Sequence, residues 1–87
     1  MNAFTVSWAP DAERHLATLY ADNFLIRKDI SEASDLLESV LAKVPLSLGI
    51  AVKDNIRNVV HPPLSLLYKV SLQDRKVEVL WVKFWDE

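Results

Sequence analysis

The side chains in this sequence best suited to phosphate or proton chemistry are Arg57, Tyr68, Lys69 and Lys83. Arginine and lysine neutralise phosphate oxygens and stabilise charge that develops in a transition state. Lys69 and Lys83 are expected on the same face of adjacent strands, with Arg57 nearby, and three cations on one sheet face can cradle a phosphate. Glu78 and Asp86 are placed to neutralise them, so a structural role is the alternative. Arg57 is likewise either a phosphate ligand or the partner of a helix carboxylate. Tyr68 has apolar neighbours, which predicts a core ring with its hydroxyl at the edge. His61 is an acid–base group near neutral pH, but beside Pro62 it also fits a surface loop. His15, between Glu13–Arg14 and Leu16, is expected to be solvated, and no second histidine follows at i+4 to form a metal pair.

Composition narrows the chemistry. The chain has 87 residues, enough for a single domain spanning 1–87, and about half of them are apolar. It has no cysteine, so disulfides, thiolate catalysis and Cys-based zinc sites are excluded. That suits a cytoplasmic protein. No metal and no cofactor is implied. The stretch from Met1 to Pro10 lacks the basic and apolar regions of a signal peptide. No run approaches the roughly 18–20 apolar residues of a membrane span, so no membrane role is expected. A net charge of −2 withholds the global electrostatic signal of a nucleic-acid binder.

The aromatic load is high for this length. Trp8, Trp81, Phe84 and Trp85 are spread over both ends of the chain. Trp81 is expected in the core. Trp85, beside Asp86 and Glu87, is harder to bury, and exposed large aromatics mark partner sites. Trp81, Phe84 and Trp85 are therefore the candidate contacts to a partner protein or to a second copy in a homodimer.

The elements that must position these groups follow from periodicity. Phe4, Val6 and Trp8 alternate with Thr5 and Ser7, which predicts a short strand. Pro10, Asp11 and Glu13 mark a helix start, and the helix is expected to run to Asp22. Asp29 and Glu32 resemble a capping box for a second helix with Ile30, Ala33, Leu37, Val40, Leu41 and Val44 on one stripe. Pro45 ends it. Residues 46–54, with Gly49, read as an ordered loop. Strands are expected over 55–61, 64–72 and 77–84, broken by Pro62–Pro63 and by the polar turn 73–76. In the last strand Val77, Val79 and Trp81 are expected on one face and Leu80, Val82 and Phe84 on the other. A strand apolar on both faces belongs in mid-sheet, covered on both sides. The expected fold is α+β, in the order β-α-α-β-β-β, with two helices packed on one face of a small, mainly antiparallel sheet.

This order resembles the RelE/ParE toxins of bacterial type II toxin–antitoxin pairs. The resemblance spans nearly the whole chain. It is carried by Ser7-Trp8-Ala9-Pro10-Asp11-Ala12, by Leu41-Ala42-Lys43-Val44-Pro45 followed by Gly49, by Arg57, by Pro62–Pro63 and by Leu67-Tyr68-Lys69-Val70. It implies a cognate antitoxin protein as partner. RelE-like members cleave mRNA on the ribosome without a metal; ParE-like members inhibit DNA gyrase. Two departures concern the nuclease chemistry. Ser65 stands where RelE-like nucleases carry an arginine, and Lys83-Phe84-Trp85-Asp86-Glu87 is acidic where they are basic. A family member that binds protein without chemistry is the alternative.

Overall fold

A computed structural model describes residues 3–86; the expectations for Met1, Asn2 and Glu87 lie outside them. Strand β1 (Thr5–Trp8) leads into helix α1 (Pro10–Asp22). A short 3₁₀ turn (Phe24–Ile26) leads into α2 (Arg27–Lys43). Strands β2 (Ile50–Lys53), β3 (Ile56–His61), β4 (Leu64–Ser71) and β5 (Lys76–Phe84) follow. The sheet order is β1-β5-β4-β3-β2, with β1 parallel to β5 and every other pair antiparallel.

Helix α1 forms where the sequence signals place it. Pro10 occupies the first turn with Asp11 and Glu13 beside it, and the Asn23 side-chain amide closes the far end by donating to the Leu19 carbonyl at 2.8 Å. Helix α2 starts earlier than expected. Asp29 lies inside its first turn rather than ahead of it, so Asp29 and Glu32 form no capping box. The cause is the 3₁₀ turn, which runs directly into the helix and leaves no extended residue for a cap.

The core lies between the helices and one face of the sheet. Ala12 comes from α1, and Ile30, Ala33, Leu37 and Leu41 come from α2. They meet Val59, Leu64, Leu66, Tyr68, Val70, Val77, Val79 and Val82 of the sheet. Burying each Leu or Ile side chain contributes about 1.5–3 kcal/mol relative to leaving it in water. Val44, expected on the buried stripe, is exposed because it is the C-cap residue, whose backbone (φ −137°, ψ 55°) has left the helix, so its side chain no longer follows the stripe.

The segment expected as a loop supplies a fifth strand, β2, at the sheet edge. All four of its residues are exposed, so no buried face marks it as a strand.

The second face of β5 is also organised differently. The β4–β5 register shifts between Leu67 and Tyr68, where Leu67 pairs with Trp81 and Tyr68 with Val79. Leu80 is the extra residue of a β-bulge. One unpaired residue reverses the alternation, so Val77, Val79, Val82 and Phe84 share the helix-covered face and Trp81 turns away from it. Trp81 is 40% exposed rather than in the core. The second face mixes apolar residues (Ile56, Val60, Leu67 and Trp81) with polar ones, and α1 reaches it at Trp81 through His15. Among the described residues no helix is long and apolar enough to cross a membrane.

Candidate functional site

The open sheet face contains two hollows. In one, Asn58, Leu67 and Trp81 lie in register across β3, β4 and β5, and Ser65 pairs with Lys83 on the next open-face row. These five residues line a concavity of about 330 Å³. Ser65 is 4% exposed, and its hydroxyl donates to Asn58 Oδ1 at 3.2 Å. Trp81 is held at the rim by His15 of α1, whose ring stacks on the indole at a centroid distance of 4.5 Å and an angle of 14°. β1 stops pairing at Val79, so α1 runs beside the rest of β5 and can reach Trp81. His15 is therefore half-buried against an aromatic, not solvated.

The second hollow, of about 470 Å³, is polar. It is lined by Lys69, Lys76, Glu78 and Asp74 with Ser7, Asn55 and Ser71. Lys69 pairs in register with Glu78. Lys69 and Lys83 are on the same face, as expected, but four residues apart along β4 register, or about 13 Å.

Arg57 and Tyr68 are cross-strand partners on the opposite, helix-covered face. Both grip the segment that follows α2. Tyr68 Oη donates to the Pro45 carbonyl at 2.7 Å and lies 3.1 Å from the Leu48 carbonyl. Arg57 Nε donates to the same Leu48 carbonyl at 3.0 Å, and Nη2 reaches the Gly49 carbonyl at 3.3 Å. Burial pushes the Tyr68 phenol above its ordinary value, and the neighbouring Arg57 guanidinium pulls the other way. Thus Arg57, Tyr68, Lys69 and Lys83 do not converge: two face the helices, and the other two sit in separate hollows.

The remaining candidates are spread along the end of β5. Phe84 packs partly buried against the core. Trp85 is 41% exposed, and its amide donates to the Pro63 carbonyl at 2.9 Å. His61 is exposed and lines a shallow cleft with Asp29 and Glu32 of α2. Among the described residues no group of three or more His, Asp or Glu side chains gathers to hold a metal.

Chemically, the first hollow offers one indole face, one ammonium group, one amide and one hydroxyl. That set can stack a planar or apolar group and pair one anion. It does not by itself supply the base, paired cations and acid of a phosphoryl cleavage. Asn58 is the member that sequence reading passed over, and His15 is the one it expected in solvent. Asn58 sits between Arg57 and Val59 in a strand of mixed polarity and left no distinctive signal; the position of His15 over Trp81 depends on the bulge and left none.

No protein-family model matches the chain, and no curated protein matches it. Among solved structures, the chain is similar to one in the toxin–antitoxin complex RelBE2 from Mycobacterium tuberculosis. The TM-score is 0.77 at 19% identity, over 95% of this chain and 99% of that one. It is also similar to a chain of the chromosomal ParDE TA system from P. aeruginosa, with a TM-score of 0.71 at 17% identity, over 97% of this chain and 98% of that one. What is shared at this identity is the fold: two helices against a five-stranded mixed sheet.

Proposed function

We propose that the chain is one RelE/ParE-like domain acting as the toxin of a type II toxin–antitoxin pair, held inactive in the cytoplasm by a cognate antitoxin protein. The observation that carries this reading is the end-to-end likeness to chains of two solved toxin–antitoxin systems, at TM-scores of 0.77 and 0.71. The sequence motifs from Ser7 to Val70 support it independently.

The surface assigned to target or partner contact is the hollow of Asn58, Ser65, Leu67, Trp81 and Lys83, with the exposed Trp85 beyond the strand end; Phe84 packs on the opposite, helix-covered face. Tryptophan is among the residue types enriched at contact hot spots, and Trp81 is 40% exposed here. The target is translation or DNA gyrase. A protein-binding action without mRNA cleavage is the reading that the site geometry favours. Ser65 is committed to Asn58, Arg57 faces the helices, and Lys69 sits beside Glu78. Each absent charge-stabilising donor costs about 10²–10³ in rate.

Induced expression of the chain alone is expected to arrest bacterial growth, and co-expression of the protein encoded by the neighbouring reading frame is expected to restore it. Healthy growth at high soluble expression would sink the toxin reading. Cleavage of ribosome-bound mRNA by purified chain, lost on Arg57→Ala, would sink the non-nuclease reading.

A further inference from the structure

We infer that the open-face hollow around Asn58 and Lys83 takes one carboxylate side chain, set beside an aromatic ring, from the surface of the chain's protein target. The inference rests on the reading of that hollow as a protein contact and adds the chemistry it selects. Two rows of residues cross the open face here. Ile50, Asn58, Leu67 and Trp81 are in register from β2 to β5, and Val60, Ser65 and Lys83 are in register from β3 to β5. The first row is apolar at both ends, where Ile50 is 77% exposed and Trp81 is 40% exposed. Val60 continues the apolar rim on the second row. Polar groups stand between these ends, and an apolar surround that excludes water strengthens a polar pair formed inside it.

Hydrogen-bond polarity selects the occupant. The Ser65 hydroxyl donates to Asn58 Oδ1, so the Asn58 amide oxygen is occupied and its Nδ2 group is the end left to the hollow. That group offers only donors. Lys83 also offers only donors, and it forms no ion pair with another described residue. The matching group is therefore an acceptor that carries a negative charge. The His15 ring covers one face of the Trp81 indole and leaves the other to stack a ring. A volume of about 330 Å³ is at the low end of ligand pockets, about 300–1,000 Å³, and suits an anchor of one or two side chains. A nucleic-acid strand fits less well. It brings a phosphate with each nucleotide, whereas the next cation on this face, Lys69, is about 13 Å away along β4 and stands opposite Glu78.

The test uses the full chain with a capped hexapeptide that carries adjacent phenylalanine and glutamate at its centre. The same peptide with glutamine for glutamate and a single-stranded RNA hexamer are the controls. The glutamate peptide should shift the amide resonances of Asn58, Leu67 and Lys83 and the Trp81 indole N–H. The glutamine peptide should bind about fivefold more weakly, the effect of one exposed ion pair. Lys83→Gln should remove that difference by weakening the glutamate peptide alone. Asn58→Asp keeps the acceptor for Ser65 and replaces the donor with a carboxylate, so it should weaken the glutamate peptide by about tenfold or more. The amide spectrum of each variant shows whether it is folded, and Lys83→Gln decides the matter if Asn58→Asp is not. No binding at millimolar peptide, equal binding of the two peptides, a difference that persists in Lys83→Gln, or tighter binding of the RNA would each overturn the proposal. The growth assay separates the two readings. Arrest without peptide binding removes the carboxylate site and leaves the toxin; peptide binding without arrest removes the toxin and leaves the site.

Discussion

Arg57 and Tyr68, paired across β3 and β4, share one acceptor: the Leu48 carbonyl lies 3.0 Å from Arg57 Nε and 3.1 Å from Tyr68 Oη. Through it the two strands hold the segment that leaves α2. Side chains of types suited to catalysis are thus spent on closing the helix layer over the sheet.

Tyr68→Phe removes the donor to Pro45 and leaves a buried carbonyl unpaired. The expected loss is about 1–2 kcal/mol, read as a lower urea midpoint. Growth arrest, if the chain is a toxin, should survive at a temperature where the variant is folded. Loss of arrest in a folded variant would return Tyr68 to the active surface.

The same phenol sets an alkaline limit. Its folded value is raised above 10.0, first by burial. Above that pH the unfolded chain releases a proton that the folded chain retains. The stabilisation is therefore complete below pH 10.0 and is lost as pH rises through the folded value. Denaturation midpoints should fall more steeply above pH 10.0 in the parent than in Tyr68→Phe. Parallel curves would show that the phenol is not the titrating group.

Gly49 carries φ +64°, and a Cβ there would run into the Asn58 carbonyl oxygen. Both the left-handed backbone and the contact with the β3 main chain oppose any side chain. Gly49→Ala is expected to cost about 2 kcal/mol or more. A thermal melt within a degree of the parent would contradict the close approach.

His15 and Trp81 should be energetically coupled. A double-mutant cycle with His15→Ala and Trp81→Ala is expected to give about 0.5–1.5 kcal/mol. Additive effects would mean that the stack contributes nothing beyond the separate burial of each ring.

Trp81→Ala and Lys83→Ala should each weaken growth arrest while leaving the fold intact, because both side chains stand on the open face outside the core. A variant that remains folded and fully toxic would move the contact surface elsewhere.

Much of the architecture was legible in the residues. Pro10 with Asp11 and Glu13, the α2 stripe from Ile30 to Leu41, and Pro62–Pro63 between two apolar runs are local signals. Each acts within a turn or a strand, so the sequence alone determines two helices, their order and the sheet that follows. The RelE/ParE resemblance rests on the same residues. What tertiary structure decided is the side on which each group works. A single unpaired residue, Leu80, reverses the alternation of β5 and takes Trp81 from the core to the open face. Strand pairing puts Arg57 beside Tyr68 and away from Lys69 and Lys83. Bulge position and cross-strand register depend on contacts between residues distant in the chain, and no local pattern encodes them.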